Sequence, residues 1–235
     1  MGMLDGFKAR KAMLMQQRGD FEGAKEAYAR LYEGGFISAA YMLPYSVLLL
    51  REGGEENFLK VKEILKKAEK APDMSPQRKQ ELHVDYAVAQ YKLGEIEKAI
   101  NLLEASHKKA PCGTIYQCLG FLYIEAGDAE KALAFNREAV EYDDEDPVCL
   151  DNLAQTYYRL LNDKETAKQY FDKAHEIKES QIDTLYFLAQ YDLEAGKRKD
   201  AIAKLEQAAE GRFSPLNYAT KDQVLAQIQQ LKNQF

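Results

Sequence analysis

The 235-residue chain has no tryptophan and only three cysteines, three histidines and six prolines, and several of these scarcities remove a class of function. Cys112, Cys118 and Cys149 are odd in number and stand at no metal-ligand spacing. They read as packed free thiols of a reducing compartment, not as a disulfide framework or a zinc site. His83, His107 and His175 are too scattered to build a metal centre. Long apolar runs are also missing. The densest, Val47 to Leu50, is bounded by Ser46 and Arg51, well short of the ~18 residues of a membrane span. The N-terminus shows no apolar signal core. The expected location is therefore the cytoplasm, and the Met1-Gly2-Met3 start leaves open a lost N-terminal anchor. There is no glycine-rich phosphate loop, no Gly-x-Ser-x-Gly, no His-Glu-x-x-His and no His–Cys pair at a common turn. Acidic pairs such as Glu55-Glu56 and Asp143-Asp144 fall in expected turns, where carboxylates are solvated. These absences predict a non-enzymatic protein with no cofactor and no metal.

Charge is not scarce, but its sign is uneven. The net charge is −6. Residues 1–110 hold 18 Lys+Arg against 16 Asp+Glu, whereas residues 111–235 hold 14 against 22. The acidic half argues against a nucleic-acid partner, because a phosphate backbone needs a basic stripe that releases its counterions.

What the chain does have is a period. Turn glycines or a turn asparagine stand at Gly19, Gly53, Gly94, Gly127, Asn162 and Gly196, and a small or β-branched residue follows each at Ala24, Val61, Ala99, Ala132, Ala167 and Ala201. The clearest unit is the stretch from Gly113 to Ala139. Tyr116, Leu119, Gly120 and Tyr123 share one helix face. Gly127 ends that helix and Asp128 caps the next. Gly120 and Ala132 are the small pair where the two helices touch.

A period near 34 residues with this pattern resembles the tetratricopeptide repeat. Ala24 with Tyr28, Ala167 with Phe171 and Ala201 with Leu205 match its Ala-x3-Phe half, although Asn136 stands where that half expects Phe. The resemblance implies an all-α fold, a right-handed superhelical solenoid of antiparallel helix pairs forming one body over residues 1–235. Six repeats are expected at about 5–38, 39–79, 80–112, 113–146, 147–180 and 181–213, with a capping helix at 220–235.

Repeat 2 is irregular. Pro44 inside its first helix should kink or delay it, and the following turn reads about three residues longer than its neighbours. Ser75-Pro76 and Asp146-Pro147 each read as an N-cap followed by proline at the first helical position. The first of these should start the next helix early. Thr220 with Gln223 forms a capping box, and Val224, Leu225, Ile228 and Leu231 form the apolar stripe of the last helix.

By the same resemblance, the first helices of successive repeats line a concave groove. Its facing positions would include Val88 and Tyr91 in repeat 3, Gln117, Phe121 and Ile124 in repeat 4, Gln155 and Tyr158 in repeat 5, and Tyr186 and Gln190 in repeat 6. Exposed rings would anchor a partner. Gln117, Gln155 and Gln190 would bond its backbone, and Lys92 and Arg159 would add charge contacts. The Lys and Asn that hold a peptide carboxylate in chaperone-binding members are not at the corresponding positions. The expected function is a protein–protein interaction scaffold that binds a peptide or helical segment in this groove. Two alternatives stand beside it: a structural module that self-associates into a homo-oligomer, and a regulatory fragment of a larger membrane-anchored or enzymatic protein.

Overall fold

The computed structural model describes residues 2–233. Among them are thirteen α-helices and no strand. The chain divides into two compact units, Met1–Lys109 and Ala110–Phe235.

The first unit holds α1 (Gly2–Gln17), α2 (Phe21–Glu33), α3 (Ala39–Glu52), α4 (Glu55–Ala68), α5 (Pro76–Lys92) and α6 (Ile96–Lys109). The second holds α7 (Gly113–Glu125), α8 (Ala129–Tyr142), α9 (Pro147–Gln155), α10 (Lys164–Ile177), α11 (Ile182–Glu194), α12 (Arg198–Glu210) and α13 (Lys221–Lys232). The last two positions of the expected capping helix, 234 and 235, lie outside the described residues. Within each unit every helix packs on the next. The first helices of neighbouring pairs also touch, α1 on α3, α3 on α5 and α7 on α9.

Local chemistry sets the boundaries. Asp20, Asp128 and Asp163 accept the orphan N–H groups of Gly23, Lys131 and Thr166 at the starts of α2, α8 and α10. The Thr220–Gln223 capping box is formed in both directions. The helix-ending turns need a left-handed residue. Gly127 supplies it at φ +74°, and Asn162 takes the same role at φ +53° as the single non-glycine with positive φ among the described residues. Packing then follows the repeat. Ala24, Val61, Ala99, Ala132, Ala167 and Ala201 all have zero exposure, and so do the residues four places on, Tyr28, Leu65, Leu103, Asn136, Phe171 and Leu205.

Asn136 is the odd member of that series, and the structure explains it. Its amide donates to the carbonyl of Gly120 at 3.3 Å and to the Thr156 hydroxyl at 3.0 Å. A β-carbon on Gly120 would come within 2.0 Å of Asn136 Oδ1. A missing side chain on α7 thus makes room for a buried amide that ties α8 to α9. Thr156 opens a π-helical segment, Thr156–Leu160, that continues α9.

Three expectations need correction. The first helix of repeat 2 is not delayed: α3 starts at Ala39 and continues through Pro44 to Glu52. Proline has no N–H to give, and the helix passes it because apolar packing holds the segment, with Tyr41, Met42, Leu43 and Tyr45 buried on both sides of it. The following turn is not longer either. Only Gly53 and Gly54 separate α3 from α4, both at positive φ, so the extra residues extend the helix instead. On α13, Val224, Ile228 and Leu231 are buried, but Leu225 is 45 % exposed, on the edge of the stripe. The early start of α5 at Pro76 is as expected, with Ser75 accepting from Arg78 N.

Candidate partner-binding face

The second unit brings the expected groove residues onto α7, α9 with its π segment, and α11. They are not equivalent. Phe121 and Ile124 are 3 % and 1 % exposed, and Gln155 is wholly buried. The expected exposure of Phe121 does not hold. Tyr158, Tyr186 and Gln190 are half-buried, as is Gln117. In the first unit, Val88 is buried on α5 and Tyr91 is half-buried with the Lys92 ammonium 5.0 Å from its ring centre.

The three glutamines also differ from expectation, because each amide serves the chain itself. Gln117 donates to Asp146 at 2.6 Å, and Asp146 in turn caps α9 by accepting from Val148 N and Cys149 N. Gln155 donates to Asp151 at 2.7 Å. Gln190 donates to the Tyr186 carbonyl and accepts from Gln227 of α13 at 3.0 Å. Buried polar groups must be paired, and neighbouring helices supply the pairs.

What remains partly open to solvent is an aromatic cluster with cations over its rings, Lys164 over Tyr158 at 5.3 Å and Arg159 over Tyr218. Tyr158 meets Phe187 and Tyr191 edge-on at 5.1 and 5.6 Å. Tyr186 lies 5.7 Å from Tyr218, which is 41 % exposed. The Arg159 guanidinium sits 4.3 Å over the Tyr218 ring. It is tied to Glu125 at 2.8 Å and donates to Gln155 at 3.0 Å. The π segment matters here: it widens the turn that carries Tyr158 and Arg159 while Thr156 stays fixed to Asn152 O and Asn136. Sequence reading missed Tyr218, which belongs to the connector before α13 and to no repeat position. The capping box at Thr220 marked the start of that helix but not what precedes it.

Beneath the cluster lie two buried carboxyls. Asp151 accepts from the Thr184 hydroxyl at 2.6 Å and from Gln155. Asp183 accepts from Asn217 and from Tyr218 N, which fixes the connector that carries the exposed ring. Burial pushes both above the ordinary carboxylate range, and the Asp151 charge raises Asp183 further. Both are buried and fully engaged in bonds within the chain, as expected of positioning groups. The cysteines are free. Burial pushes the Cys149 thiol up, away from the reactive thiolate. Among the described residues no cluster of His, Cys, Asp and Glu could hold a metal, and no helix is long and apolar enough to cross a membrane.

A tetratricopeptide-repeat family model matches residues 149–176, from α9 into α10. Among curated proteins none matches the chain. Solved structures share its fold. PilW, a type IV pilus biogenesis factor, is 14 % identical with a TM-score of 0.65, over 96 % of this chain and 100 % of that one. PilF of Pseudomonas aeruginosa is 15 % identical with a TM-score of 0.61, over 98 % and 97 %. YrrB, a TPR protein with an unusual peptide-binding site, is 18 % identical with a TM-score of 0.50, over 76 % and 88 %.

Proposed function

We propose that the chain, which carries a tetratricopeptide-repeat match at residues 149–176 and shares the fold of such proteins, is a non-catalytic scaffold whose second unit binds an extended or helical segment of a partner protein. The contact face is the cluster of Tyr158, Tyr186, Tyr218 and Arg159, with the exposed edges of Gln117 and Gln190 at its border. Phe121, Ile124 and Gln155 support the helices that carry contact residues; Val88 and Tyr91 belong to α5 of the first unit and are not part of this face. The observation that carries this reading is the Arg159–Tyr218 stack, a cation held at 4.3 Å over a ring that is 41 % exposed. Arginine and tyrosine are the side chains that most often anchor interfaces, and here both are ordered before any partner arrives. YrrB's peptide-binding site lends support by analogy of fold.

The test is selection of peptides from a displayed library on the wild-type chain, followed by titration of the winners against Tyr218→Ala and Arg159→Ala. Each substitution should weaken binding by about 1–2 kcal/mol, with the far-UV spectrum unchanged. Failure to enrich any peptide, or equal binding by the two variants and the wild type, would sink the assignment.

A second reading is self-association. On α1, Leu4, Phe7 and Leu14 are 68 %, 73 % and 44 % exposed and share one face. If that face pairs copies, the solution mass is a multiple of the chain and Phe7→Glu returns it to that of one chain.

A further inference from the structure

A second feature lies in the first unit and is independent of the face above. Between α4, α5 and α6 a cleft of about 320 Å³ is lined by Leu65, Leu82, Leu102, His83, Tyr86 and Gln90, with Lys66 and Glu69 at its border. That volume is at the small end of the roughly 300–1,000 Å³ range of small-ligand sites. Leu65 and Leu82 are 0 % and 4 % exposed and give it an apolar wall. Lys66 and Glu69 stand at its exposed border, and Glu69 is already paired with Lys79 at 3.2 Å. His83 shares a hydrogen bond with Ser106, and burial lowers its basicity. Gln90 stands apart. It is 8 % exposed, and its Oε1 has no hydrogen-bond partner. A buried acceptor left unpaired is costly. The terminal torsion of glutamine is broad, so the amide can turn toward a group that enters the cleft.

We propose that this cleft binds a neutral aliphatic amide, its branched alkyl group against Leu65, Leu82 and Leu102 and its N–H donated to Gln90 Oε1. The chemistry follows from the lining: an apolar wall selects the alkyl group and disfavours a buried charge, and one orphan acceptor demands one donor.

The test uses the full chain and two probes that differ by one N–H, N-methyl-4-methylpentanamide and its N,N-dimethyl counterpart. Both are titrated by nitrogen-15 NMR, with the Gln90 side-chain NH2 signals identified by their loss in Gln90→Met. The N-methyl probe should shift those signals saturably and bind at least about fivefold tighter than the dimethyl probe, the scale of one buried hydrogen bond. That preference should vanish in Gln90→Met, and the variant should melt higher than wild type, because it removes an unpaired buried acceptor. A blocked pentapeptide with a central leucine then separates the two sources of this chemistry: tighter binding than the free amide marks a peptide segment, weaker binding a small molecule. Absence of a saturable shift, or a preference that survives in Gln90→Met, overturns the proposal. So does a lower melting temperature of the variant, which would mark the amide as structural.

Discussion

Replacing Gly120 by alanine should destabilise the second unit, although alanine is ordinarily preferred to glycine inside a helix by ~1 kcal/mol. The new β-carbon would lie 2.0 Å from Asn136 Oδ1, 3.1 Å from its Cγ and 3.3 Å from Asn152 Nδ2. Asn136 has zero exposure, so its carboxamide has no open space to enter. Oδ1 itself makes no bond, but moving it swings Nδ2 off the Gly120 carbonyl and the Thr156 hydroxyl. Each buried partner left stranded costs about 1–3 kcal/mol. The Gly120 contact is long at 3.3 Å and counts at the low end. Set against the helix-propensity gain, the net loss should be about 2–4 kcal/mol. Urea denaturation followed by far-UV circular dichroism measures it. The cause is isolated by a double-mutant cycle with Asn136→Ala. In the Gly120→Ala background that second substitution should cost less than in the wild type, with a coupling of about 1–3 kcal/mol. A Gly120→Ala chain as stable as wild type, or additive effects in the cycle, would refute this account of the glycine.

Deleting residues 220–235 removes the buried Val224, Ile228 and Leu231 of α13 and uncovers the core cluster of Ile182, Leu185, Ala201 and Leu205. At roughly 1.5–3 kcal/mol for each lost side chain, the second unit should unfold at lower urea and aggregate, as light scattering would register; unchanged melting of a monodisperse product contradicts the capping role. Phe121→Ala should cost about as much as Leu119→Ala, in the range of ~2–5 kcal/mol, because both side chains are buried. A Phe121 variant that melts like wild type would return that ring to the surface. Burial, with the Glu81 charge adding, pushes the Asp85 carboxyl up to about 8. The native state therefore holds this proton more tightly than the unfolded chain, whose aspartates titrate near ~4. The stability Asp85 contributes is full below that value and is lost as pH rises toward 8. Relative to Asp85→Asn, the wild type should lose stability across that window in a denaturation series, and parallel curves would show the carboxyl to be unshifted.

The period of turn residues and small residues was enough to place the helix pairs, because each repeat carries its own punctuation. Asp128 caps a helix, Gly127 ends one, and Ala132 accepts a close neighbour, all through interactions within a few residues. The delay allowed for at Pro44 was misjudged for the complementary reason. Its local cost is readable in sequence, but the burial of Tyr41, Met42 and Tyr45 that outweighs it is not. The candidate face was legible only in part. Helical spacing says which residues share a side of one helix; it does not say which of those the next helix covers, and so Phe121 and Tyr158 looked alike. Nor could it tell that Gln117, Gln155 and Gln190 would bond within the chain, since their partners, Asp146, Asp151 and Gln227, are set by packing. Tyr218 lies outside every repeat and comes to Arg159 because Asp183, thirty-five residues earlier, holds its backbone N–H. Sequence alone determined what is local, the helices, their caps and their period. Burial and the pairing of polar groups between helices were decided by tertiary structure, because both depend on which surfaces the stacked pairs leave open.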